Sequence, residues 1–453
     1  MTIPVRFGQV FGLGIDLGMA SRAFQLPVSY RVDSTGFAID VRPFAVGLTV
    51  LSVLALFLLS GQMLNLLGIP YDATGGSPLF KIHPASYLSV LALMAWVVVD
   101  GGLGAFLGRS WRDSPGLMVL FLAIGLLAFQ VIFVQKTPIS QVTDNFVLTA
   151  CLFAGLLRLN PGELRLVALL VQGILALNSL LGYAEGLSGF RLTPLYVNGE
   201  LLSWEWRATA LLGHPLMNAM TTALCLVSLA LGAGPFRTGP RLALVVFHFG
   251  ALFFFGGRTA IVLSAAALFA IAAVTGARLL LGRRFPLPVA AAAILAATLL
   301  VIGSILVVDG GLVDRLIGRF INDDGSAMAR VAMLSIFRDM SWPEVVFGPD
   351  VLAVKAMLPR IGTPVAIESA YIGFVAYYGG FVTLFFLMGL AAFFAELVRR
   401  FGAPVLLPLG IYFLISTAVS SFSTKSLELA LLTTLIITAF ACRPQPPERS
   451  SPC

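Results

Sequence analysis

The chain has 453 residues, 58% of them apolar and 11% charged, with 29 Lys and Arg against 22 Asp and Glu. A soluble domain carries about 25% charged residues. The composition therefore excludes an ordinary water-soluble globule, and repeated apolar runs of about 18 residues or more imply an all-α polytopic membrane protein rather than a β-barrel. The net charge of +7 then reports orientation in a membrane rather than nucleic-acid binding.

Residues 1–43 contain no long apolar run and no cleavable signal pattern, and read as a cytoplasmic segment. Twelve spans are expected. Nine lie in residues 44–308: Phe44–Leu67, Ser86–Leu107, Gly116–Val134, Asn145–Leu157, Leu164–Tyr183, His214–Leu231, Leu242–Phe255, Thr259–Val274 and Leu287–Val308. A medium loop, 185–213, separates the fifth span from the sixth. A long loop, 309–369, follows the ninth. Spans ten to twelve occupy 370–441, and 442–453 form a short tail. By eye no internal repeat stands out, which weighs against inverted-repeat transporters.

Twelve spans place both termini on one side. That side carries 17 Lys and Arg in its tails and short turns, and the opposite short loops carry 6. The asymmetry predicts cytoplasmic termini and an outward, periplasmic long loop in a bacterial inner membrane. Fourteen of the charged side chains fall between Val308 and Tyr371, in a stretch with a helical pattern of its own, so the loop is expected to be folded and functional.

Polar chemistry follows the same division. The span middles carry no Asp, Glu, Lys or Arg, whereas an ion-coupled transporter needs ionisable groups near the midplane. Cys151, Cys225, Cys442 and Cys453 show no metal spacing, and three histidines are too scattered for a metal site. On the outer side stand Arg207, Arg258 in Gly256-Gly257-Arg258, and Arg330 behind the capping sequence Asp323-Asp324-Gly325-Ser326. Guanidinium forks bind phosphate bidentately, and three on one face make a seat for a diphosphate; each alone also reads as an interfacial anchor.

The order Arg207…Gly213-His214-Pro215…Asn218, Gly257-Arg258-Thr259-Ala260, Arg330…Phe337…Trp342-Pro343…Phe347-Gly348, then Glu368-Ser369-Ala370-Tyr371…Tyr378-Gly379 resembles the superfamily of O-antigen ligases and O-antigen or exopolysaccharide polymerases. The likeness covers roughly residues 140–395. It implies a bundle related to the GT-C membrane glycosyltransferases, and a metal-independent transfer, without cofactor, of an oligosaccharide from undecaprenyl diphosphate to an acceptor glycan. Arg207, Arg258 and Arg330 would contact the diphosphate. The partners it implies are the lipid-linked donor, the acceptor glycan, membrane lipid, and the chain-length-control and export proteins of the pathway.

Two departures stand out. Glu368-Ser369-Ala370-Tyr371 replaces the His-rich stretch of ligases, which favours the polymerase branch, and Gly348-Pro349-Asp350 lacks a second glycine. Glu368 is the best placed base for the acceptor hydroxyl; His214 can serve the acceptor or cap the sixth span. A ligase, a flippase of lipid-linked sugars and a silent scaffold of an export complex are the alternatives.

Overall fold

A computed structural model describes residues 40–72, 75–197, 200–202, 205–280, 333–361, 367 and 369–443. The ninth span, most of the N-terminal segment, Arg330, Glu368 and residues 444–453 lie outside the described residues.

The described chain is a helical bundle. Its helices are α1 (Arg42–Leu58), α2 (Gly61–Leu66), α3 (Pro84–Val99), α4 (Leu103–Asp113), α5 (Pro115–Phe129), α6 (Leu148–Leu156), α7 (Pro161–Ser188), α8 (Pro215–Ala230), α9 (Thr238–Phe255) and α10 (Arg258–Leu280). Then come α11 (Trp342–Phe347), α12 (Val351–Met357), α13 (Ala370–Phe401), α14 (Leu406–Ser416) and α15 (Glu428–Ala441). One small hairpin interrupts it, pairing Tyr196–Val197 with Glu200–Leu201. Helix starts follow local chemistry: Pro161 opens α7 behind an Asn160–Glu163 capping box, and Pro215 opens α8.

Among the described residues five helices are long and apolar enough to cross a bilayer: Pro115–Val134, Pro161–Ser188, Thr238–Phe255, Arg258–Ala277 and Gly380–Phe401. The other expected spans that fall in the described residues are shorter or broken. The second does not run straight to Leu107. α3 and α4 meet at 99°, because Gly101 and Gly102 take φ of 90° and 109°, a conformation glycine alone enters without cost. The tenth breaks at Gly379 (φ 80°, ψ 159°). There α11 crosses so closely that a Cβ on Gly379 would lie 2.3 Å from the Gly348 nitrogen. The side chains of Gln130 and Gln135 hold this crossing, donating to the carbonyls of Phe347 (2.8 Å) and Tyr377 (2.5 Å).

α15 is the central element. Every residue from Glu428 to Phe440 is buried, against α6, α7, α8 and α13. A helix apolar all round belongs inside a bundle.

Contacts divide the bundle into two ends. At the first, Asp100 is clamped by Arg109 (2.7 Å) and Arg158 (2.8 Å), Arg42 pairs with Glu163 (2.8 Å), and Glu396 binds Arg399 and Arg400 (both 2.6 Å). Arg399 and Arg400 also reach Asp113 and Ser114. At the opposite, loop end, Asp144 accepts from the Tyr71 hydroxyl (2.7 Å), the His83 amide (2.9 Å) and Ser86 (2.6 Å). Lys425 sits over the Tyr71 ring, 3.0 Å from its centroid.

The described part of the long loop is irregular. Leu334–Arg338 is a 3-10 turn with Arg338 exposed, and α11 and α12 follow. Trp342, Phe347 and Leu352 are exposed, as suits side chains at a membrane interface.

Candidate functional site

Residues 205–214 form the floor of the loop end, and three polar side chains fix their backbone. Glu185, 4% exposed in the last turns of α7, accepts from the amides of Leu192 (2.9 Å), Thr209 (2.8 Å) and Ala210 (2.9 Å). Asn178 accepts from the Leu211 amide (3.0 Å), and Asn218 donates to the carbonyls of Thr209 (2.5 Å) and His214 (3.1 Å). With these bonds Ala210 is held at φ 40°, a region that costs a non-glycine residue about 1–3 kcal/mol. A buried loop has to find partners for its amides, and here they come from helices flanking it.

That scaffold places Arg207 against the turn between α9 and α10. The Ala208 amide donates to the Phe254 carbonyl (3.0 Å), and a Cβ on Gly256 would lie 2.7 Å from Arg207 Cδ. Gly256, at φ 64°, ends α9, and two residues later Arg258 opens α10. Gly257 packs equally tightly on Ala219 in the first turns of α8. Arg207, His214 and Arg258 thus share one corner of the loop end.

Arg207 is not a bare cation. Its Nε donates to Glu205 Oε1 (2.8 Å), its Nη2 is paired with Glu205 Oε2, and its side chain is only 14% exposed. A guanidinium has five donors; the Glu205 carboxylate takes two and fixes its plane.

His214 is the N-cap of α8. Its Nδ1 accepts from the Leu216 amide (3.3 Å), which assigns the proton to Nε2. Burial pushes the imidazole down to about 4, and the nearby Arg207 adds to the effect while Glu205 opposes it. The ring is neutral near pH 7, with its lone pair engaged in the cap. Its available role is that of an Nε2–H donor.

Arg330 and Glu368 lie outside the described residues. The neighbours of Glu368 are firmly held: Ile367 is buried, and Ser369 caps α13 by accepting from the Ile372 amide (3.5 Å). Gly373 packs on Ser423, which brings the start of α13 beside the 421–426 turn. Gly348 and Gly379, taken from sequence as motif glycines, meet as the two sides of one backbone crossing.

Sequence reasoning overlooked Glu185, Asn178 and Asn218 as organisers of this floor. Their partners lie up to 33 residues away, and the only signal is a polar residue inside an apolar run. Lys425 is also more than a loop charge: it sits 3.9 Å from Asp72 and 4.0 Å from Asp144. Burial brings its ammonium down to about 8 against the pull of both carboxylates. Among the described residues no group of three His, Cys, Asp or Glu stands close enough together to hold a metal ion. No protein-family model and no curated protein matches this chain.

Proposed function

We propose that the chain is a polysaccharide polymerase of the bacterial cytoplasmic membrane, joining oligosaccharide repeat units carried on undecaprenyl diphosphate at its outer face. The observation that supports the reading is the packing of the 205–214 segment onto the Gly256–Arg258 turn, which gathers Arg207, His214 and Arg258 in one corner. That corner lies at the end of the bundle opposite the Arg–carboxylate clamps, and the order of motifs leading to it is the second support.

In this reaction the acceptor hydroxyl attacks the anomeric carbon of the donor and the carbon–oxygen bond to the diphosphate breaks. The carrier diphosphate leaves with the bonding pair. Arg207, Arg258 and Arg330 gather the charge growing on the leaving group, which is electrostatic stabilisation by pre-placed donors. Glu368 takes the acceptor proton. His214, neutral and protonated at Nε2, donates a hydrogen bond to a sugar or phosphate oxygen.

The test is an assay with purified protein in nanodiscs, supplied with lipid-linked repeat unit and followed by glycan ladder and release of carrier diphosphate. Wild type is expected to build ladders. Arg258→Lys keeps the charge but loses the fork and should lower turnover roughly 10²-fold; Glu368→Gln should lower it by roughly 10² to 10⁴. Transfer only to a lipid core acceptor would make the enzyme a ligase. Donor left intact under all conditions would reject glycan transfer.

A further inference from the structure

α7 and α9 lie side by side and run the same way: Ser179 meets His248 (2.8 Å), and farther along both helices Gly186 packs on Phe254. Counting seven residues back from Ser179 and from His248 sets Gln172 level with Arg241. Around that level lies an open crevice of about 600 Å³, between Leu169, Gly173 and Ala176 of α7 and Pro240, Leu244 and Phe247 of α9. Pockets that hold small ligands run about 300–1,000 Å³. Both helices are long and apolar enough to cross a bilayer, and Leu169 is 42% exposed, so the crevice opens toward lipid.

The crevice wall contains one polar side chain. Gln172 is buried, its Oε1 accepts from Cys225 Sγ (3.4 Å), and its Nε2 has no hydrogen-bond partner among the described residues. An amide donor left unpaired in an apolar wall is costly and calls for an acceptor. The mouth of the crevice is basic. Residues four apart share a helix face, so Arg165 stands on the crevice side of α7, one turn before Leu169. Arg165 is close enough to the Cys442 thiol to oppose the rise that burial gives it. The Gly234 amide donates to the Ala439 carbonyl (2.7 Å), which docks the α8–α9 connection on the end of α15. There Arg241 donates to the Gly232 carbonyl (3.3 Å), and a Cβ on Gly232 would lie 3.5 Å from Arg443 Nη2 and 3.9 Å from Arg241 Nη1. At this end Arg42, Arg109, Arg158, Arg399 and Arg400 each meet a carboxylate, yet among the described residues none pairs with Arg165, Arg241 or Arg443.

We propose that this crevice binds an anionic phospholipid of the surrounding membrane, with one acyl chain between α7 and α9 and the phosphate among Arg165, Arg241 and Arg443. Guanidinium forks suit phosphate oxygens, and basic pockets between membrane helices are places where anionic head groups bind. An ester carbonyl of the same lipid supplies the acceptor that Gln172 lacks. A polyprenyl phosphate brings a tail and a phosphate but no carbonyl, and so leaves that amide unpaired. This assignment does not rest on the glycan-transfer reading.

The test is native mass spectrometry of the delipidated full chain titrated with phosphatidylglycerol, phosphatidylcholine or undecaprenyl phosphate. Phosphatidylglycerol should bind first and tightest. Arg165→Gln and Arg443→Gln, both at exposed side chains, should each weaken it about fivefold, whereas Arg112→Gln, exposed on α4 at the same end, should not. A Cβ on Gly173 meets nothing within 4 Å, so Gly173→Phe should plug the crevice without disturbing the bundle and weaken binding at least as much. Gln172→Leu should weaken both phospholipids and leave undecaprenyl phosphate unchanged. Equal retention of phosphatidylglycerol and phosphatidylcholine by the wild type overturns the proposal, as do equal losses in Arg112→Gln and Arg165→Gln. Binding unchanged in Gly173→Phe would put the lipid on surface arginines alone and overturn the crevice site. Tighter binding of undecaprenyl phosphate than of phosphatidylglycerol would overturn it in favour of the carrier.

Discussion

Gly379→Ala isolates the backbone crossing that breaks α13. Gly379 has φ 80° and ψ 159°, a region essentially confined to glycine that costs about 1–3 kcal/mol for another residue. The new methyl would meet the Gly348 nitrogen at 2.3 Å, the Phe347 carbonyl carbon at 2.6 Å and the Val346 oxygen at 2.8 Å. These are backbone atoms that no rotamer change can move, so overpacking adds about 1–3 kcal/mol. Together the loss is about 2–6 kcal/mol. Gly380→Ala, one residue on, meets only the Val345 oxygen at 3.5 Å and should stay within about 1 kcal/mol of wild type. Thermal unfolding of both variants in one detergent, followed by intrinsic fluorescence, compares them directly. Similar Tm values for the two would refute a crossing built on Gly379.

Two further outcomes follow from the charges. Asp100→Asn removes the carboxylate that holds Arg158, whose side chain is 14% exposed, and should cost about 3–5 kcal/mol; Arg42→Ala opens a pair whose side chains are 37% and 22% exposed and should cost about 1 kcal/mol or less. A chemical-denaturation comparison in which both lose equally would remove the distinction. His214 in the fold resists protonation down to about 4 against an ordinary value of 6.5, so an unfolded chain binds the proton first as pH falls. Its contribution is complete above about 6.5 and declines toward 4, by at most about 2 kcal/mol between pH 7 and pH 5. His214→Asn keeps a capping oxygen and should flatten that part of the stability profile; an unchanged slope would assign the pH dependence to other groups.

Most of the helix pattern was legible from sequence because apolar runs, flanking arginines and N-terminal prolines report locally. The starts of α5, α7 and α8 fall within three residues of expectation. The breaks were hidden. Asp100-Gly101-Gly102 is a turn signal that a reading of 86–107 as one apolar run passes over, and the 99° bend falls there. Gly379 requires its partner Gly348, 31 residues away, before its role can be seen. An apolar helix facing lipid and one facing protein have the same composition, which is why the central place of α15 was not legible. Arg207, His214 and Arg258 were singled out from motif order, but the Glu205 partner of Arg207 and the capping bond of His214 are matters of geometry.

The two ends of the bundle use their polar groups differently, and this bears on where chemistry can occur. At one end carboxylates and arginines neutralise one another: Asp100 with two guanidiniums, Glu396 with two, Glu163 with one. Such clamps tie helices together and leave little field to act on a ligand. At the loop end Arg207 is likewise paired with Glu205, and Lys425 stands by Asp72 and Asp144, but polar side chains there also hold backbone. Glu185, Asn178, Asn218 and Asn145 bond to amides or carbonyls of irregular segments, and Gln130 and Gln135 to carbonyls beside the helix crossing at Gly348 and Gly379. Irregular backbone can be kept inside an apolar bundle only when its hydrogen bonds are met, and once met it supplies turns that point side chains where a straight helix cannot. Arg207 and Arg258 each leave such a turn, and His214 begins a helix from one. The glycan-transfer reading we propose draws on that kind of support for recognising a charged head group beside lipid.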